Sequence, residues 1–388
     1  MTTFFIRRSV EKAFQLDEQP SGLTLNFHKP LRADPPIITS AVDDIMYIVN
    51  KILQQSLATS QIHVVGSVVP TLSRVLGSDF IGMTQRKMRD EYYPRPVQGG
   101  HQPPEHTLIT FMVLINNLDM AVDYIRRIVQ NNSGLEVNNI KDDHHNHHTV
   151  EETEHLRALF PVSGEAAEAT QVLQTLQTSF ESKVNDLLSD GIQVLFNNVI
   201  KHRLRPILAD AFRDIEYQPR TAMDATTTTS TTATDEMMIN DEGSAEMVRP
   251  RFANAWTELI GPIARILTAS AFDRLLTVSL VYLARLLEKR LWSYHGRVNV
   301  LGATRLERDV SGLVGAAVDV ISSSGGGAGR YRHREAFVRC LQIVLVMGME
   351  DDEWEEVLRG GEEMEEVVDK LSRDEKIRAR SLVVRGRQ

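Results

Sequence analysis

The chain has 388 residues, 42% hydrophobic and 24% charged, with a formal net charge of -9. That composition supports a sizeable core and excludes global disorder, and the acidic balance argues against nucleic acid, whose phosphates need clustered Lys and Arg. Cys340 is the single cysteine, so no internal disulfide forms, as expected for a reducing compartment.

In chain order, Phe5 to Leu16 reads as a first helix, and Arg7, Arg8, Glu11 and Lys12 interrupt the apolar core that a signal peptide needs. Residues 18–36 carry Pro, Gly and charge and read as a loop. Ile38, Val42, Ile45, Val49 and Ile52 then recur at helical spacing, with Ser40 and Asp43 placed as a capping box. The valine-rich run Ile62 to Val69 is ambiguous between helix and strand. Leu72, Val75 and Leu76 continue its stripe at helical spacing, so a helix is expected in spite of Gly66 and Pro70.

After a second loop at 92–106, Phe111, Ile115, Leu118, Val122, Ile125 and Val129 form one buried stripe on a helix over 104–130. Asn117, Asp119, Asp123, Arg126 and Arg127 fall off that stripe. Leu173, Leu176, Phe180, Val184, Leu187, Ile192, Leu195 and Val199 mark another helix, which Gly191 is expected to bend. The stripe Leu276, Leu280, Leu283, Leu287 and Leu291 is broad enough for a central helix. Further helices are expected over Phe252 to Leu267, Arg305 to Ile321, Tyr331 to Met349 and Glu353 to Leu371. Strand-like alternation is nearly absent, so the class is all-α. No run reaches about 18 uninterrupted apolar residues, so membrane association is expected to be peripheral.

Composition suggests four parts: a helix and loop over 1–36, a bundle over 37–220 with a His-rich insert near 132–156, a Thr-rich linker over 221–248, and a bundle over 249–388 with a Gly/Ser loop near 322–330. His144, His145, His147 and His148 beside Asp142 and Asp143 are the strongest candidate metal ligands, but low-complexity sequence does not fix their geometry. The Gly325 to Gly329 run lacks the lysine and preceding strand of a phosphate loop. Cys340 lies among Phe337, Val338, Leu341 and Val344 and reads as a small buried hydrophobe. Neither catalytic residue, cofactor nor metal site is expected. Arg339 has two candidate partners: Glu335 at i-4, and Glu375 on another helix.

The blocks Phe5-Ile6-Arg7-Arg8-Ser9-Val10-Glu11-Lys12-Ala13, Ser40 to Ile48, Leu114-Ile115-Asn116-Asn117-Leu118-Asp119-Met120, Arg203-Leu204-Arg205-Pro206-Ile207-Leu208 and Arg334 to Arg339 occur in one order. Read together, they resemble the family of subunit 4 of the conserved oligomeric Golgi complex, a vesicle tether. The last block resembles the family's Arg-x-x-Phe-x-Arg helix. The resemblance implies an elongated stack of helical bundles and a non-catalytic role in retrograde transport to and within the Golgi. It implies a peripheral position on the cytosolic face of Golgi membranes, with other subunits of the complex, SNARE proteins and SNARE regulators as partners. It also implies that the family's N-terminal coiled-coil region precedes the part present here. The rivals are a subunit of another helical-rod tether, such as an exocyst-type complex, and an all-helical metal-dependent hydrolase using the His cluster.

Overall fold

The computed structural model describes residues 2–95, 103–133, 154–218, 247–319, 327–359 and 366–385. Apolar residues three and four apart turn almost all of it into helices, and no strand occurs among the described residues. The helices gather into two compact units, the first formed by Met1–Leu195 and Pro262–Asp273, the second by Phe196–Gly261 and Arg274–Gln388.

In the first unit, α1 (Thr2–Gln15) and α2 (Ser40–Leu57) precede α3 (Ile62–Val75). The valine-rich run is thus helical with Pro70 inside it. A π-helical turn (Leu76–Ile81), the short α4 (Gly82–Arg86) and a second π-helical turn (Lys87–Glu91) follow. Then come α5 (Glu105–Ser133), α6 (Glu154–Leu159) and α7 (Glu165–Leu195). The main packing is of α7 against α5 and α3, with α2 across α1, α3 and α5. Gly191 does not interrupt α7. A Cβ there would meet Met88 Cε at 2.8 Å and Ile115 Cγ1 at 3.3 Å, so the glycine permits a close helix approach.

Two local expectations fail in this unit. The cap of α2 is Thr39, and no side-chain bond from Ser40 or Asp43 closes a capping box. Ser40 Oγ instead accepts from Glu18 N at 2.9 Å, and Asp43 accepts from the Tyr124 hydroxyl at 2.7 Å. The second failure is the single stripe on α5: Asn116, Asn117 and Asp119 are also buried, so the helix is enclosed on more than its apolar face. Averaged hydropathy makes Ile62–Glu91 and Glu105–Ser133 long and apolar enough to cross a bilayer, but 78% of the relevant window of the second is buried inside the protein.

The second unit contains a π-helical turn (Phe196–Ile200), α8 (Lys201–Ala211), most of α9 (Val248–Ala264) and of α10 (Ala269–Trp292), and α11 (Val300–Asp319). Its remaining helices are α12 (Gly327–Glu335), α13 (Val338–Gly348), α14 (Asp351–Arg359) and α15 (Arg373–Arg380). Trp256 is wholly buried, stacks on Phe252 and donates its Nε1–H to Ala317 O at 3.2 Å. Tyr217, Val298 and Val383 meet in two isolated parallel bridges.

The helix expected over Tyr331 to Met349 is two helices. Ala336 N donates to His333 O and Phe337 N to Arg334 O, so the last turn of α12 tightens and breaks, and Phe337 becomes fully buried. Within the helix expected over Glu353 to Leu371, Asp351–Arg359 is helical, 360–365 lie outside the described residues and a turn follows at Val368 to Lys370; a separate helix, α15, then starts at a capping box between Ser372 and Glu375. The Gly/Ser loop expected at 322–330 is already helical from Gly327, and α9 starts at the Val248 that the sequence placed in the Thr-rich linker.

Two glycines make the packing testable. A Cβ on Gly302 would lie 1.6 Å from Tyr217 O, whereas one on Gly66 meets nothing within 4 Å. Gly302→Ala is expected to lower stability by more than about 2 kcal/mol, and Gly66→Ala to raise it by about 0.5 to 1 kcal/mol, both read from urea unfolding midpoints.

Candidate functional site

In the second unit, Arg339 joins three parts of the chain. It projects from α13, and its Nη2 donates to Glu288 Oε1 on α10 at 2.7 Å and to Glu375 Oε1 on α15 at 2.6 Å. Its Nη1 donates to Lys370 O at 2.8 Å, so one planar guanidinium on α13 binds α10, α15 and the turn that precedes α15. Glu375 Oε2 also accepts from Ser372 N at 2.9 Å, so the carboxylate that caps α15 also binds Arg339. The bond from Arg339, and then the Ser372 N–H, hold the Glu375 carboxyl down to about 2; Glu288 is lowered too, chiefly by Arg339. Glu335 is not among these partners, because the break at Ala336 and Phe337 puts it on a different helix from Arg339.

One turn further along α13, Gln342 acts on the same segment. Its Nε2 donates to Val367 O and Asp369 Oδ1, and its Oε1 accepts from Lys370 N. Arg378 of α15 lies over the Trp292 ring at 4.5 Å, and the Trp292 indole donates to Glu288 at 3.4 Å. Cys340 is buried and donates to Ala284 O, and burial first, then Glu288, pushes its thiol up to about 12. At neutral pH it is a protonated packing group, not a nucleophile.

The first unit has a corresponding cluster on α5. Asn116 Nδ2 donates to Ile37 O at 2.9 Å and to Ile266 O at 2.7 Å, while its Oδ1 accepts from Thr268 N at 2.9 Å. Asn117 exchanges bonds with Thr39, accepting from its N–H at 3.0 Å and donating to its hydroxyl at 3.1 Å. Asp119 accepts from the Thr268 hydroxyl at 2.6 Å, and that hydroxyl in turn accepts from Ala271 N, capping α10. Periodicity alone misses these residues, because a polar residue off the stripe reads as solvent-facing. The adjacent pair Asn116 and Asn117 inside an otherwise apolar run was the available signal.

Among the described residues, no group of three or more His, Cys, Asp or Glu side chains could hold a metal ion. His144, His145, His147 and His148, with Asp142 and Asp143, lie outside the described residues, as do Gly325 and Gly326. The clusters that are described bind backbone and fix helix ends, which is structural chemistry.

Comparison with known proteins follows the same residues. The family model "Conserved oligomeric Golgi complex subunit 4, C-terminal" matches residues 111–378, and "COG4 transport protein, middle alpha-helical bundle" matches residues 1–88. The chain is 22% identical over 260 residues to the conserved oligomeric Golgi complex subunit 4 of Saccharomyces cerevisiae, covering 63% of this chain and 26% of that protein. It is 23% identical over 349 residues to the Arabidopsis thaliana protein of the same name, covering 89% of this chain and 39% of that one. The chain therefore spans well under half the length of these relatives. Its fold is similar to the crystal structure of the C-terminal domain of the exocyst subunit Sec6p, with a TM-score of 0.51 and 12% identity over 98% of this chain and 82% of that one.

Arg339→Glu brings a third carboxylate to Glu288 and Glu375 and is expected to cost about 2 to 3 kcal/mol. Adding Glu375→Arg should return about 1 kcal/mol, a coupling kept small because both side chains are about a third exposed. Since the folded pKa of Glu375 is about 2 against an ordinary 4.5, the pair's stabilisation is complete above pH 4.5 and lost as the pH falls toward 2. In acid titrations Glu375→Gln should flatten that loss. Asn116→Ala leaves two buried carbonyls and an N–H without partners and should cost about 3 kcal/mol in urea unfolding.

Proposed function

Since this chain belongs to the family of subunit 4 of the conserved oligomeric Golgi complex, we propose that it acts as a non-catalytic part of that vesicle tether, supporting retrograde transport to and within the Golgi through protein contacts. The observation that carries this reading is the family match over 111–378, which includes both polar clusters, Asn116 to Asp119 and Glu288, Arg339 and Glu375. Supporting it, the described clusters bind backbone and hold helix ends and loops in place, the chemistry a scaffold requires.

In this reading the chain sits peripherally on the cytosolic face of Golgi membranes. Its partners are the other subunits of the complex, with SNARE proteins and their regulators as further contacts. Arg339 and Glu375 serve as a structural ion pair that keeps α15 on α13. The likeness to the exocyst subunit is one of fold and leaves the functional reading unchanged.

The test is affinity purification of the tagged chain from cells, with bound proteins identified by mass spectrometry. Other subunits of the conserved oligomeric Golgi complex are expected as the main bound proteins. Recovery of exocyst subunits in their place, or of neither set, would overturn the proposal.

A further inference from the structure

In the first unit a groove of about 610 Å³ runs between α3, with the turn after it, and α7. Its lining positions on the first side are 69, 70, 73, 74, 77 and 78, and on α7 they are 171, 172, 175, 176, 179 and 183. Steps of one, three and four residues mean that each helix lends one face to the groove, over about 12 to 18 Å at 1.5 Å per residue. Val69 and Leu176 form a buried floor and Val172 a partly exposed wall, and at Gly77 the Lys183 side chain crosses close to the backbone, its Nζ 3.2 Å from where a Cβ would stand.

Two further observations concern what would fill it. The Ile62–Glu91 run is apolar enough to cross a bilayer, but only 39% of its most apolar window is buried, half the share found for α5. Most apolar side chains of that run, among them Val65, Val69, Leu72, Val75 and Leu76, are buried in the unit, and its unburied apolar positions include the half-buried Val64 and Val68 and the exposed Pro70 on the groove wall. In addition, the groove's two charged lining residues, Arg74 and Lys183, are both basic and exposed, and neither has a hydrogen bond or ion pair among the described residues. Nearby carboxylates are already engaged, Asp79 with Arg7 at 3.3 Å and Glu181 with Arg126 at 3.3 Å. In a chain of net charge -9, two unpaired cations beside an open apolar groove are a specific local feature.

We propose that this groove is the docking site for an acidic amphipathic helix of a partner protein, whose apolar side chains insert over Val69, Val172 and Leu176 while its carboxylates meet Arg74 and Lys183. A helix fits because two helical walls about three turns long accept a third helix by ridge and groove packing. The recessed floor favours inserted side chains over a bilayer, which would meet only the rim. The inference goes beyond the tether reading and does not depend on it, since it concerns a groove that any acidic helix can probe.

The test uses the full chain and a fluorescein-labelled peptide of about 12 residues, the length of an 18 Å helix, with Leu at every third and fourth position and Glu between. A second peptide carries Lys at each Glu position. The acidic peptide should raise fluorescence anisotropy saturably, and the basic one should bind about tenfold more weakly. Arg74→Glu combined with Lys183→Glu should reverse that preference. Thr175→Trp, on the exposed wall, should fill the groove and abolish binding of both, with helix content and melting temperature of each variant measured to establish folding. The proposal is overturned by equal affinity for the two peptides, by binding that survives Thr175→Trp in a folded protein, or by no binding at all. It is also overturned if Thr175→Trp instead releases the chain from phosphatidylcholine and phosphatidylserine vesicles, or dissolves a dimer of the chain. Those results would give the groove to a membrane or to a second copy.

Discussion

A polypeptide that leaves a helix carries N–H and C=O groups that have lost their intrahelical partners, and where the connection is buried something other than water must bind them. In this chain the partners are side chains that project from a neighbouring helix. Asn116 takes the carbonyls of Ile37 and Ile266 and the amide of Thr268, and Asn117 takes the amide of Thr39. At an exposed connection the same job falls to Arg265, in the turn after α9, which gathers the carbonyls of Phe27 at 2.9 Å and Lys29 at 2.7 Å, and to Glu105 of α5, which accepts from Leu25 N at 2.7 Å. In the second unit Arg339 and Gln342 do the same for Val367 and Lys370, and Arg380 binds Met349 O.

This arrangement resolves a conflict between two requirements. Apolar stripes drive the helices together but are non-directional, so they fix neither where a helix ends nor which turn it meets. Polar side chains on the same helices supply that direction, at a desolvation cost that is offset only when each donor and acceptor finds its partner. Asn116 meets that condition with three bonds at no exposed surface. Connections pinned in this way are already ordered, which avoids the ordering cost that otherwise weakens association when a loop binds.

The sequence was most legible where a single rule governed. Stripes at three and four residues located α2, α5, α7 and α10, and they assigned the valine-rich run to a helix through its continuation at Leu72 and Val75. Legibility failed where tertiary contacts overrode local ones. Ser40 and Asp43 have the spacing of a capping box, yet Glu18 and Tyr124 take their oxygens. The helical pattern from Tyr331 to Met349 has no Gly or Pro near Phe337, and it is the burial of Phe337 that accompanies the split there. The Arg339 cluster was half visible: a long-range carboxylate at Glu375 could be named, but Glu288 sits beside the leucine stripe of α10 and reads as its solvent edge. Sequence spacing carries no signal for a contact made 51 residues away.

Amide hydrogen exchange reads these side-chain bonds to loop backbone one by one. The amides of Leu25, Thr39, Thr268 and Lys370 lie outside helices, yet each donates to a side chain, Glu105, Asn117, Asn116 and Gln342 respectively. Exchange in the folded chain is expected to be slowed at all four by orders of magnitude, comparable to the interiors of the helices they adjoin. Exchange at the rate of an unstructured peptide at these positions would contradict these bonds.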